Sequence, residues 1–356
     1  MSKYDRPLPV NSLGFAALVA TIVAGVLLSA WELHWRELGS EKSYRNSGGL
    51  WATERRRIDN GEGDATVLIG SSRMQFGLQL DVWEKESGER PIQLAMVGTS
   101  PLTAMEGLAD DPDFTGRLLI GVAPDLFFSG LELYGEVFDR YRDETPSQWL
   151  GQRISLLIEP HLAFYDIDYA LIPILRRQPL PPREGVVDPL EVRKLDVLSR
   201  DRNIRMWRKV EEDLDYQAQA EQIWAQFLPL EIEDQDQYEM QLASYSAQIG
   251  RAVTATDKLA DRGVDVIFVR FPSAERYRES EALFFPRSAA WDLLIEKTGA
   301  LGIHFEDHPE LQGYELPEWS HLSGSESDRF TAALYEVVER ELRTFKERSG
   351  NQANEN

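Results

Sequence analysis

The sequence predicts an α/β fold built on a parallel sheet, with a helical insertion and one N-terminal transmembrane helix. Three observations carry this. Short apolar runs at 67–69, 92–96 and 118–122 alternate with helix-length segments, and the alternation returns at 264–269 and 303–305. Strands that alternate with helices argue for a parallel sheet with right-handed crossovers. Between 138 and 243 the alternation stops, and apolar residues take helical spacing in a stretch rich in charge, Trp and Tyr. Residues 12–31 form an uncharged apolar run of about 20 residues, the length a helix needs to cross a hydrocarbon core of about 30 Å.

Composition bounds the rest. A chain of 356 residues holds one large domain or two ordinary ones. The formal charge of -22 argues against general nucleic-acid binding, which needs a basic surface to replace counterions. There is no cysteine, which excludes disulfides, thiolate metal ligands and a cysteine nucleophile.

Taken in order, residues 1–11 are polar, and Lys3 and Arg6 favour a cytoplasmic N-terminus, a bias that Asp5 and Arg36 reduce. Trp31 and Trp35 suit an interfacial belt. Leu28-Ser29-Ala30 is a poor cleavage site, so the run reads as a signal anchor and not a cleaved signal peptide. Residues 1–36 are therefore expected to be the cytoplasmic N-terminus and anchor, with the bulk of the chain outside the cytoplasm. Residues 37–63 form a stalk and a lead-in helix over 50–58. The α/β domain takes 64–137 and 244–345, with helices at 102–109, 244–262, 289–301 and 326–345. The insertion spans 138–243 and covers one edge of the sheet, with a Pro-marked loop at 179–182. Within it, 149–175 is apolar enough to lie on a membrane or a partner. The polar tail 346–356 is expected to be disordered.

The chemistry centres on Val67-Leu68-Ile69-Gly70-Ser71-Ser72-Arg73, a buried strand running into a glycine and two hydroxyls. Open α/β sheets carry their sites at the carboxyl ends of strands. A serine hydroxyl needs a histidine to become a nucleophile, and there are five. His34 lies beside the membrane helix, His161 in the insertion, His304 within a strand, and His308 between Asp307 and Pro309. His321 stands apart in the polar loop Pro317-Glu318-Trp319-Ser320-His321-Leu322-Ser323, just before the last helix. A carboxylate three residues earlier can fold back to its Nδ1 and fix the ring's tautomer, while Ser323 is placed to cap the helix.

This arrangement resembles the SGNH/GDSL hydrolase superfamily, a flavodoxin-like three-layer fold. The resemblance makes Gly70-Ser71-Ser72 the first block with Ser72 as nucleophile, Gly98 the second-block glycine, and Glu318 and His321 the last block, with Glu for the usual Asp. It places the oxyanion hole at the Ser72 and Gly98 N–H groups. The third block departs: Gly121-Val122-Ala123-Pro124-Asp125 lacks the usual Asn, leaving Arg73, Thr99 and Ser100 as possible supports. An anchor joined to such a domain is similar to envelope proteins that serve membrane-bound O-acyltransferases in alginate acetylation and teichoic acid D-alanylation. The resemblance implies an O-acyltransferase or esterase acting on acyl groups, such as acetyl, of an envelope or exported polysaccharide. The alternative is a silent accessory protein that binds polysaccharide or docks onto the acyltransferase. No cofactor or metal is implied, since Glu306 and Asp307 beside His304 and His308 match no strong metal motif.

Overall fold

The computed structural model describes residues 12–133, 135–166, 168–176, 178 and 194–355. The polar N-terminus 1–11 and the loop expected at 179–182 lie outside the described residues. The chain divides into two units, Met1–Arg45 with Arg153–Val186, and Asn46–Gln152 with Val187–Asn356.

In the larger unit the apolar runs become strands. They are β1 (Thr66–Ile69), β2 (Ile92–Gln93), β3 (Arg117–Gly121), β4 (Asp196–Leu198), β5 (Ile204–Met206), β6 (Asp265–Arg270) and β7 (Leu301–His304). Five of them form one parallel sheet in the order β2-β1-β3-β6-β7, in a register that sets Val67 beside Ile92 and Leu118. Omitting β4 and β5, this is the 2-1-3-4-5 order of doubly wound sheets, whose switch point lies between β1 and β3.

Successive strand residues face opposite sides, so an unbroken apolar run buries both faces. Val67, Ile69, Leu118, Ile120 and Phe268 pack on one side against α2 (Gly48–Asp59), α5 (Leu102–Ala109), α12 (Gln235–Ala260) and α14 (Trp291–Thr298). Leu68, Leu119, Ile267 and Val269 pack on the other against α3 (Ser72–Gly77), α4 (Leu80–Ser87) and α15 (Gly324–Glu355). The unit is therefore an α/β/α sandwich around a five-stranded parallel sheet.

The remaining helices are α1 (Leu13–Glu37), α6 (Pro124–Phe127), α7 (Gly135–Arg142), α8 (Pro146–Ile158), α9 (Leu171–Arg176), α10 (Arg208–Glu212), α11 (Leu214–Ala225) and α13 (Glu275–Phe284). Four expectations need correction. The insertion is not wholly helical, because β4 and β5 pair as an antiparallel ribbon. The helix expected from 244 starts at Gln235, and the one expected over 289–301 ends at Thr298, leaving Leu301 to open β7. The tail expected to be disordered continues α15 as far as Glu355.

The run at 92–96 yields a strand of only two residues for a clear reason. On its inner side the pairing continues, with Leu94 N–H donating to Leu68 O at 2.8 Å and Met96 N–H to Gly70 O at 3.0 Å. On its outer edge, Arg202 from the β4–β5 turn donates to the carbonyls of Gln93, at 3.1 Å, and Ala95. A guanidinium thus satisfies an edge that would otherwise be open to another strand. Burial pushes Arg202 down to about 10, against the opposing pull of Glu54.

In the smaller unit, α1 has 25 residues, about 37 Å at 1.5 Å per residue. Its apolar side chains are exposed, Phe15 at 72% and Leu27 at 65%. It is long and apolar enough to cross a membrane and could anchor the protein there.

Gly70 joins β1 to the site. A Cβ on it would meet Met74 Cβ at 2.8 Å and the Gly121 Cα at 3.1 Å. Gly70→Ala should therefore cost about 1–3 kcal/mol by overpacking, seen as a lower urea midpoint with an unchanged slope.

Candidate active site

The turn at Gly70 puts Ser71 at the N-cap of α3 and Ser72 at its first helical position. The Ser71 carbonyl accepts from Met74 N–H at 3.1 Å, and Ser71 is 2% exposed. Ser72 is only half-buried. Of the two hydroxyls at the end of β1, that of Ser72 is therefore the more accessible.

The loop before α15 brings Glu318 and His321 together. Glu318 Oε1 accepts from His321 N–H at 2.7 Å and lies 2.8 Å from His321 Nδ1. Glu318 is fully buried and His321 is 3% exposed. The fold-back needs a reversal between them, and Trp319 supplies it at φ +70°. A left-handed bulky residue costs about 1–3 kcal/mol and persists only where its surroundings hold it. Here Ala274 N–H binds the Trp319 carbonyl at 2.8 Å, and Leu322 is packed in the core. The first bond of α15, Ser327 N–H to Ser323 O at 2.8 Å, puts Ser323 at the cap position.

Two contacts flank Ser72 and tie α3 to this loop. Phe76, one turn along α3, stacks on the His321 ring with centroids 4.2 Å apart. Arg73 Nε donates to Ser320 Oγ at 3.4 Å. His321 Nε2 is buried without a hydrogen-bond partner among the described residues. Leaving such an atom unpaired costs about 1–3 kcal/mol. With Nδ1 on the carboxylate, Nε2 is the nitrogen that would accept a nucleophile's proton. A hydrogen bond from Ser72 Oγ to it is not formed in this structure. Such bonds are often loose until substrate is bound.

The Ser72 and Gly98 N–H groups donate to no backbone carbonyl of the described residues. Gly98 has φ +67° with nothing within 4 Å of where a Cβ would stand, so the left-handed conformation, not crowding, calls for glycine. Ala123, just after β3, brings no side-chain donor. Each of the three candidate substitutes makes another contact, although the Ser100 hydroxyl only accepts there and Arg73 Nη2 has no hydrogen-bond partner among the described residues. Thr99 Oγ1 donates to Leu131 O at 3.2 Å and accepts from Leu133 N–H, and Ser100 Oγ accepts from Leu102 N–H at 3.4 Å. Arg73 is turned inward.

Arg73 belongs to a buried charge cluster that the sequence reading missed. Its Nη1 lies 2.7 Å from Glu281 Oε1, and Arg270 Nη2 and Ser273 Oγ each lie 2.6 Å from Glu281 Oε2. Its guanidinium sits 4.5 Å from the Tyr277 ring centroid, and the Tyr277 hydroxyl donates to Asp125 Oδ2 at 2.7 Å. Burial would raise the Glu281 carboxyl, but Arg270 and Arg73 hold it below its usual range. Burial raises the Asp125 carboxyl, with Arg73 opposing. The one signal for this cluster was Arg270 at the end of an apolar strand. Glu281 sits in a charged run that reads as a solvated helix.

Trp224 was also missed. From α11 it donates Nε1–H to Glu318 Oε2 at 2.5 Å, and its ring lies edge-on to His321 at 6.2 Å. Both carboxylate oxygens of Glu318 are thus used, one by His321 and one by the insertion.

The remaining candidates are placed elsewhere. His304 Nδ1 accepts from Glu306 N–H at 3.2 Å, and burial, with help from Arg270 and Arg287, pushes its pKa down to about 3. It is a neutral packing histidine. Asp307 is paired with Arg287, and Glu306 with Arg278. Among the described residues no group of three or more His, Asp or Glu side chains is placed to hold a metal ion.

Compared with known proteins, the sequence matches no family model and no curated protein.

Removing the Glu281 carboxylate leaves two buried guanidiniums uncompensated, so Glu281→Ala should cost about 3–5 kcal/mol in a denaturant titration. Because the folded pKa is depressed, this contribution is present above the unfolded value of about 4.3 and lost as pH falls through the folded one. The wild type should lose stability through that acid window, and Glu281→Gln should show a shallower fall.

Proposed function

We propose that this chain is a membrane-anchored, envelope-facing SGNH-type O-acyltransferase or esterase. Ser72 attacks the carbonyl carbon of an acyl donor or ester. His321 Nε2 takes the hydroxyl proton and returns it to the leaving oxygen. Glu318 holds the ring through Nδ1 and stabilises the imidazolium. The Ser72 and Gly98 amides receive the oxyanion. The acyl-enzyme then passes its acyl group, acetyl being the simplest, to a polysaccharide hydroxyl or to water. The single observation that carries this reading is the buried Glu318–His321 pair, whose ring stacks on Phe76 of the helix that bears Ser72 and whose Nε2 has no hydrogen-bond partner among the described residues. An N-terminus inside and a domain outside follow from Lys3 and Arg6 preceding the apolar span. A membrane-bound O-acyltransferase is the partner this topology suits.

A second reading has a specific observation behind it. With Ala123 in place of the Asn, one oxyanion donor is missing, and such a loss costs about 10²–10³ in turnover. A silent accessory protein that binds polysaccharide or docks onto the acyltransferase would tolerate that loss. A serine-directed fluorophosphonate probe on the purified protein separates the two. Labelling that Ser72→Ala abolishes and Ser71→Ala largely retains supports the enzyme; absent labelling supports the accessory protein.

Glu318→Gln should keep the fold and reduce model-ester hydrolysis strongly, though less than His321→Ala, which removes the base itself. Trp224→Phe should give a smaller loss of the same kind, since it frees one Glu318 oxygen while leaving the Glu318–His321 hydrogen bond in place. Full activity in Glu318→Gln would reduce the site to a Ser72–His321 pair.

A further inference from the structure

In the smaller unit, the end of α1 is clamped to the segment that follows α8. Glu32 accepts from Ala163 N–H at 2.7 Å and from Phe164 N–H at 2.9 Å, one carboxylate oxygen for each. Trp31 Nε1–H donates to Tyr169 O at 2.9 Å, and Arg36 Nη2 to His161 O at 2.6 Å. The Trp35 and Tyr169 rings lie 5.2 Å apart. Counting from Leu13, about 20 residues at 1.5 Å each span a hydrocarbon core of about 30 Å and end near Glu32. The clamp therefore grips the polypeptide at the level where the bilayer's hydrocarbon gives way to headgroups.

The clamped segment buries Leu156, Ala163 and Tyr169 but turns several other apolar side chains outward. At the end of α8, Glu159 is 5% exposed, its carboxylate binding Arg45 N–H at 3.0 Å and Ser155 Oγ at 2.5 Å. On the same stretch Ile154 is 48% and Leu157 72% exposed. Phe164 (44%), Leu171 (45%), Ile172 (56%) and Leu175 (54%) continue the pattern through α9. An ordinary surface helix buries its apolar stripe and exposes its charges; here several apolar side chains are exposed as well. A patch of this kind marks an interaction surface.

We propose that residues 154–166 and 168–175 form a second membrane contact, lying in the interfacial layer of the lipid bilayer beside the end of α1. Continuity with the span selects lipid as the occupant: the clamp fixes this segment at headgroup depth, where apolar side chains enter the acyl boundary and Trp31 and Trp35 meet the interface. The inference rests on α1 being a membrane span.

The absence of cysteine makes the test clean. Full-length Leu157→Cys, Ile172→Cys and Leu18→Cys would each carry one NBD label and be reconstituted, with no other protein, into phosphatidylcholine vesicles with or without nitroxide-labelled lipid. The expected result is a blue shift relative to free NBD-cysteine at 157 and 172, with loss of emission to the nitroxide lipid and protection from aqueous iodide. A label at 18 quenched by lipid beside labels at 157 and 172 quenched by iodide overturns this inference and leaves the anchor standing. Labels at 157 and 172 shielded from both quenchers also overturn it, since protein then covers the patch. A label at 18 that lipid does not quench overturns the anchor, and this inference with it.

Discussion

The site depends on one buried carboxylate. Glu281 of α13 sits between Arg73, the residue after Ser72, and Arg270, the last residue of β6. It thereby joins the first turn of α3, the carboxyl end of the sheet and a helix more than 200 residues later in the chain. Ion pairs this deep are costly to desolvate, and their value lies in the geometry they enforce more than in net stability. Here the enforced geometry is the direction of α3. Arg73 also reaches Ser320 in the histidine loop, so the two halves of the proposed dyad share an anchor.

The insertion is part of the site and not merely a cover. Its β4–β5 ribbon is stitched to the sheet by Arg202 and to the start of α4 by Asn203, whose Oδ1 accepts from Leu80 N–H at 2.9 Å. Glu211 of α10 accepts from Gly324 N–H at the start of α15, and Trp224 of α11 holds Glu318. Two residues of the insertion thus fix the loop that carries His321 at both of its ends. A loop that spends strain at Trp319 needs such external supports.

In the smaller unit the same economy appears at a helix end. Glu32, a carboxylate near the end of an apolar span, would be expensive if left without donors. Two backbone N–H groups satisfy it, and in doing so they fix where the following segment lies.

The sequence by itself determined the elements whose periodicity is imposed by burial. Five apolar runs became the five strands of the parallel sheet, because a strand covered on both faces must be apolar throughout. Glu318 and His321, three residues apart, met as a local fold-back that spacing alone can forecast. The uncharged run at 12–31 likewise declared a helix, since nothing else satisfies its backbone in an apolar setting. Tertiary structure decided the rest, for reasons of sequence distance and context. The ribbon at 196–206 is too short for its pattern to stand out inside a charged segment. Glu281, Asp125 and Trp224 read as an exposed helix, a loop acid and an insertion aromatic until folding brought them under Ser72 and Glu318. Thr99, Ser100 and Arg73 have the right chemistry to serve an oxyanion, but only the fold shows what each is bound to: Thr99 donates to Leu131 O, Ser100 accepts from Leu102 N–H, and Arg73 pairs with Glu281. Residue type states what a side chain can do, while its neighbours in space fix what it has left to give.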